Sequence, residues 1–359
     1  MHISDIDKNL KVVSVVDKPD VVWYDARDKK FRLYGSLDEN KDCFRRFPQE
    51  VSRKVSEGVD ILARNTAGMR LRLKTDSPYI ALHVEWDIQC IFSHMPMSGS
   101  SGFDLYRVND DGSSDFVFMF MPPYPSPDGY ESIIDTPFGM RDYVIDFPLY
   151  NNVTKLYVGF KEGSSFDVPA EYRISKPVVF YGSSITQGGC ASRPGNAYQS
   201  MLSRALDFDF INMGFSGCCL AEDVMCEYLA GLSMSCFVSD YDHNTPSYEH
   251  LENTHWKLYE TIRKRNPDLP YVFMSKPDVR SAYQWNYEYS LQRRDLIIAN
   301  YEKAKASGDE NVYFIDGFAL FNDDETCSAT VDTCHPNDMG FYFYYRDMKP
   351  VLKKILYGE

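Results

Sequence analysis

The chain has 359 residues, enough for two domains of ordinary size, and 44% of them are hydrophobic, so it can bury real cores. A net charge of −14 argues against nucleic acid or an anionic membrane as a partner. Aromatic residues reach 15%, with 26 Tyr and 23 Phe, which suits β-sandwich cores and, at fewer positions, the walls of carbohydrate clefts. No run is long and apolar enough to span a bilayer. The opening MHISDIDKNL has neither the apolar core nor the cleavage site of a signal peptide. Nine cysteines, an odd number that includes the adjacent Cys218 and Cys219, point to reduced thiols. The expectation is a cytoplasmic protein, or a secreted one if a leader has been trimmed away.

Residues 1–175 read as a β domain. VVWYD at 21–25 and FRLYG at 31–35 are short strands, and LRLKTD at 71–76 alternates as a half-buried strand should. YIALHVEW at 79–86, FDLYRV at 103–108, DFVFMFM at 115–121, YVIDFP at 143–148 and VTKLYVGF at 153–160 follow, with turn signals such as NDDGSS between them. Many short strands with little helical periodicity predict an all-β sandwich, jelly-roll-like in layout.

Residues 176–359 alternate strands with helices. Strands are expected at 178–181, 209–214, 234–240, 270–275 and 311–316. Helices are expected near 196–206, 221–231, 248–267, 287–307 and 337–356. This grammar predicts a three-layer α/β/α domain on a five-stranded parallel sheet. Ligand sites in such sheets lie beyond the carboxyl ends of the strands, where four segments gather.

KPVVFYGSSITQGG at 176–189 carries the first strand, a glycine stop and two serines. A serine exposed at such a turn suits a nucleophile, provided that a base and an oxyanion site are near. Asp332 and His335, three apart in VDTCHPND, can place a carboxylate beside an imidazole, with Pro336 in the first turn of the closing helix. Asn244, in SDYDHNTP, can donate an amide N–H to an oxyanion, and Gly217, in NMGFSGCC, lets a backbone N–H approach one. Each has an ordinary reading as well: a capping aspartate, a turn asparagine, a loop glycine.

Together these four blocks resemble the SGNH hydrolase superfamily, the GDSL esterases, over about residues 176–356. The block one motif is Gly182-Ser183-Ser184, with serine where aspartate is usual at 183. Gly217 answers to block two, Asn244 to block three in a DYDHN context rather than GxND, and Asp332-Thr333-Cys334-His335 to the DxxH block. The resemblance implies a flavodoxin-like sheet and a serine-ester mechanism with no metal or organic cofactor. It implies Ser184 as nucleophile, His335 as base and Asp332 as its orienting carboxylate. The backbone N–H groups of Ser184 and Gly217, with the Asn244 amide, would form the oxyanion hole. A β domain ahead of such a hydrolase also looks like the two-domain carbohydrate esterases.

Three further residues are candidates for substrate binding. His94 lies in a loop, SHMPMSGSSGFDLY, able to reach the site. Arg193 and Tyr198, in ASRPGNAY just past the nucleophile, are placed at the mouth of the cleft by proximity in sequence. The expected activity is hydrolysis of short acyl esters, acetyl on a carbohydrate above all, with a small-molecule or saccharide acyl ester as the partner. A homo-oligomer is left open. A lipase or thioesterase, a glycan-binding degenerate hydrolase, and a metal site built from Asp240, Asp242, His243, Asp332 and His335 are the alternatives.

Overall fold

The computed structural model describes residues 7, 12, 15–38, 43–277, 287–321 and 328–359. The MHISDIDKNL segment, apart from Asp7, lies outside them. Among the described residues, ten antiparallel strands come first: β1 (Val21–Asp25), β2 (Arg32–Tyr34), β3 (Arg70–Thr75), β4 (Tyr79–Glu85), β5 (Phe103–Val108), β6 (Ser114–Phe120), β7 (Gly129–Asp135), β8 (Arg141–Asp146), β9 (Lys155–Lys161) and β10 (Phe166–Asp167). They form two sheets, ordered β1-β9-β4-β7 and β10-β3-β8-β5-β6, with β2 on β3. Leu71, Leu73, Phe103, Leu105 and Ile145 of one sheet pack against Ile80, Leu82, Val158 and Phe160 of the other, all buried. Alternation in these strands buries one face between the sheets, as a sandwich requires.

The remaining strands are β11 (Ile174–Gly182), β12 (Phe208–Gly214), β13 (Cys236–Asp240), β14 (Tyr271–Met274) and β15 (Val312–Ile315). They form a parallel sheet in the order β12-β11-β13-β14-β15. Their apolar runs are buried on both faces, as in a sheet covered by helices. The strand order reverses at β11, whose neighbours are β12 on one side and β13 on the other. Gly182 is level with Gly214 of β12 and Asp240 of β13. Three loops therefore leave the sheet side by side at the crevice where a doubly wound sheet takes its ligand.

Short helices depart from the all-β reading of the first part. Helices α1 (Gln49–Val55) and α2 (Glu57–Leu62) share Ser56, whose hydroxyl caps the second by accepting the Val59 N–H at 3.2 Å. Phe47, Val59 and Ala63 join the core on one face of the parallel sheet. Burying Phe47 and Val59 there contributes about 1.5–3 kcal/mol each. By packing, residues 47–63 thus serve the α/β core rather than the sandwich. A further turn, α3 (Met97–Ser100), follows the His94 loop, and β7 also goes beyond the expected strands.

In the second part the helices are α4 (Ser184–Gln187), α5 (Tyr198–Leu206), α6 (Asp223–Ala230), α7 (Tyr248–Arg265), α8 (Tyr287–Ala306), α9 (Gly317–Leu320) and α10 (Asp338–Tyr357). Pro336 does not open the last helix as expected. It lies in a bridge to Thr330, and Asn337 caps the helix by accepting the Met339 and Gly340 N–H groups at 3.0 and 3.2 Å. No helix among the described residues is long and apolar enough to cross a membrane.

Candidate active site

The site grows out of the end of β11. Gly182 must be glycine, because a Cβ there would collide with Thr186 Oγ1 and the Asp240 carbonyl. The Ser183 hydroxyl accepts the Ile185 N–H at 3.2 Å, and this cap starts α4 one residue past the strand. Ser184 is therefore the first residue of that helix. Its carbonyl accepts from Gly188 N at 3.1 Å, Gly189 N at 2.8 Å and the Tyr150 hydroxyl at 3.1 Å. Tyr150 comes from the sandwich part, so both parts of the chain hold the serine backbone.

Ser184 Oγ lies 2.8 Å from His335 Nε2, and His335 Nδ1 lies 2.7 Å from Asp332 Oδ2. Asp332 Oδ1 also accepts the backbone N–H groups of His335 at 2.7 Å and Cys334 at 3.1 Å. This local turn explains the three-residue spacing: the same carboxylate folds the loop and holds the ring. Burial pushes the Asp332 carboxyl up, but the His335 N–H, the imidazole and the Cys334 N–H together outweigh it and hold it below the usual range. An ionised carboxylate only accepts hydrogen bonds, so the imidazole proton sits on Nδ1 and Nε2 offers its lone pair to the serine hydroxyl.

The second loop is braced by residues that sequence reasoning passed over. Asn212 accepts the Gly214 N–H at 2.9 Å and donates to the Thr186 carbonyl at 2.7 Å. Gln187 accepts the Ser216 N–H at 3.1 Å and donates to the Leu149 carbonyl at 3.2 Å. Gly217 follows at φ +71, in the left-handed region, exposed at the loop tip. The buried Arg46 guanidinium donates to the Gly214 carbonyl at 2.6 Å and the Asn65 carbonyl at 2.9 Å. Burial without a carboxylate partner pushes it down to about 9.

Asn244 ends a short turn after β13, and its side-chain oxygen is buried without a hydrogen-bond partner. Arg293 holds that turn by donating to the Asp242 and Thr245 carbonyls, each at 2.6 Å. Asp240, Asp242 and His243 converge beneath it, with one donor atom of each within 4.8 Å of the others. The five-residue metal set considered from sequence does not assemble as one shell. His335 and Asp332 are engaged with Ser184 and with each other instead.

His94 enters from the loop between β4 and β5, its ring centroid 5.6 Å from that of His335. Of the other two candidates, Tyr198 is a correction. Arg193 meets Asp104 Oδ2 at 2.9 Å and stacks over the Phe116 ring at 3.9 Å, because a buried carboxylate draws the guanidinium inward. Tyr198 is fully buried, its ring stacked on Tyr344 at 4.9 Å and on Phe341 at 6.2 Å. It stands in the first turn of α5, on the side that packs against α10, so it meets the core and no ligand.

Residues 175–353 match the model of the GDSL-like lipase/acylhydrolase family. Residues 21–166 match the model of the N-terminus of SGNH-hydrolase-type esterases, named for a GxDLY pattern, which reads here as Gly102-Phe103-Asp104-Leu105-Tyr106. No curated protein matches the chain. Among solved structures, a protein described as a GDSL-like lipase from Bacteroides ovatus ATCC 8483 superposes with a TM-score of 0.84 at 27% identity, over 94% of this chain and 98% of its own. The salicylyl-acyltransferase SsfX3 from a tetracycline biosynthetic pathway shares the fold at TM-score 0.76 and 18% identity, over 93% and 98%. A family two carbohydrate esterase from Clostridium thermocellum, in complex with cellohexaose, shares it at TM-score 0.57 and 13% identity, over 81% and 93%. With its two-part layout and its serine turn at the reversal of the sheet, the chain belongs to the GDSL-like lipase/acylhydrolase family of SGNH hydrolases and is an ester-hydrolysing enzyme.

Proposed function

We propose that this enzyme is a serine esterase that removes short acyl groups, acetyl above all, from carbohydrates. The observation that carries the chemistry is the continuous relay from Ser184 Oγ through His335 to Asp332, at 2.8 and 2.7 Å. In this reading Ser184 Oγ attacks the ester carbonyl while His335 Nε2 takes its proton. The protonated imidazole then gives that proton to the leaving alcohol, and Asp332 steadies the charge. The backbone N–H groups of Ser184 and Gly217 and the Asn244 amide receive the oxyanion. Water, activated by the same imidazole, releases the acid and restores the serine.

Support for a short acyl group comes from confinement. Ser184 is only 7% exposed, and Tyr150 and Met95 close around Gly189 just past its turn. Support for a carbohydrate alcohol comes from the two-part layout shared with carbohydrate esterases, one of them bound to cellohexaose.

Asp332→Asn is expected to lower kcat by about 10⁴-fold, since the amide favours the wrong imidazole tautomer. A kcat within tenfold of wild type would remove Asp332 from the relay. Asn244→Ala is expected to cost about 10²–10³-fold in kcat with little change in KM, as for one oxyanion donor. An unchanged kcat would pass that role to another donor in the loop. Hydrolysis of p-nitrophenyl acetate, butyrate and octanoate, followed by acetylated oligosaccharides, tests the substrate class. Acetate preference with acetate release from the sugars supports the reading, and octanoate preference overturns it in favour of a lipase. A folded protein that binds the sugars and cleaves no ester would be a glycan-binding relative.

A further inference from the structure

Three metal-ligating side chains meet at the mouth of the site, and the ester chemistry uses only one of them. His94, Cys190 and His335 each bring one donor atom within 4.8 Å of the other two. They come from three distant places: the β4–β5 loop of the sandwich, the turn after α4, and the loop before α10. Cys190 is held at φ +72, a left-handed conformation that non-glycine residues adopt only when their surroundings impose it. Its side chain is buried beside the cleft.

We propose that His94, Cys190 and His335 form a binding site for a thiophilic divalent ion of the zinc type, which switches the esterase off by occupying the His335 lone pair. The inhibition rests on the serine-esterase reading; the ion site does not. Two imidazoles and a thiol suit Zn²⁺ and exclude Mg²⁺ and Ca²⁺, which demand oxygen ligands. His335 is already dressed as a ligand. Its Nδ1–H is bound to Asp332 at 2.7 Å, the carboxylate–histidine pairing that orients imidazoles toward zinc. The tautomer that makes Nε2 a base also makes it a donor to a metal.

The distances agree. Tetrahedral Zn–N and Zn–S bonds of about 2.0–2.3 Å place donor atoms roughly 3.3–3.6 Å apart. The three donor atoms lie within 4.8 Å of one another, so binding requires them to draw closer, and His94 stands on a loop. Charge agrees too. An arriving ion forms an S–metal bond, the thiol proton leaves to solvent, and thiolate plus the Asp332 carboxylate balance the two positive charges. Nothing is oxidised or reduced. Ser184 Oγ then loses its acceptor, since Nε2 cannot serve the metal and the serine together.

The test uses Co²⁺ as a spectroscopic probe and Zn²⁺ as the inhibitor, on the full chain. Titration with cobalt chloride is expected to produce a near-ultraviolet thiolate-to-cobalt charge-transfer band. The band should appear in wild type, Ser184→Ala and Cys334→Ser and be absent from Cys190→Ser. Zinc chloride is expected to inhibit p-nitrophenyl acetate hydrolysis reversibly, with EDTA restoring the rate. Scored against each variant's own metal-free rate, the zinc concentration for half inhibition should rise at least tenfold in Cys190→Ser and in His94→Gln. No band in wild type, or a band that survives Cys190→Ser, overturns the ion site. Equal zinc sensitivity in all three proteins overturns the switch. A Cys190-dependent band in a protein without esterase activity would uphold the ion site while overturning both the inhibition and the serine-esterase reading.

Discussion

Ser184→Ala is expected to lower kcat on p-nitrophenyl acetate by about 10⁴–10⁶-fold, with the fold intact. The substitution removes one oxygen whose partner is His335 Nε2. It spares what shapes the turn, since the Ser184 carbonyl keeps its bonds from Gly188, Gly189 and Tyr150. His335→Ala should fall by a similar factor, and the double variant should be little worse than either single one, because the two groups act as a unit. Steady-state kinetics with thermal unfolding as the control decides the matter. A Ser184→Ala protein that retains more than a hundredth of the wild-type rate would deny the serine its role as nucleophile.

Asp104→Ala is expected to cost about 3–5 kcal/mol of stability, the penalty for breaking a buried ion pair from one side. Asp104 is fully buried on β5, where it accepts from Arg193 Nη1 at 2.9 Å and from the Gly195 N–H at 3.0 Å. Its cross-strand partner on β8 is another buried acid, Asp146, which meets Arg204 at 3.4 Å. Burial, and then the facing Asp146, push the Asp104 carboxyl up to about 7. The loss should lie toward the lower end of the range, because the Arg193 side chain is 21% exposed and can turn to water. The effect should also reach the site. Residues 193–195 continue from Ser192, which donates to Asp338 in the first turn of α10, three residues past His335. Urea unfolding measures the first effect and kcat the second. A variant as stable as wild type would show that this contact does not bind the two parts of the chain.

The local parts of this architecture were legible because neighbouring residues produce them. VVFYG is β-branched and aromatic and stops at a glycine, and it became the strand end that carries Ser184. The Asp332–His335 spacing was readable because a single turn brings the two together. Helices α1 and α2 escaped notice because each is short and largely polar, and their few apolar residues are buried by a sheet far along the chain. Strand β7 lay unread in a stretch of turn residues for a similar reason.

Arg193 and Tyr198 show the limit most clearly. Both follow Ser184 closely in sequence, yet Tyr198 is buried in the core and Arg193 is held by Asp104. Which way a side chain faces depends on the phase of its helix and on distant partners: Tyr344 and Phe341 for Tyr198, Asp104 for Arg193. Tyr150 and His94 come from the sandwich part and join the site only when it docks on the parallel sheet. Sequence alone settled the class of fold and the order of the motifs, since those depend on short-range pattern and composition. Folding decided which residues surround the serine, because those contacts cross between separate sheets and are set by packing and by pairing of buried charge.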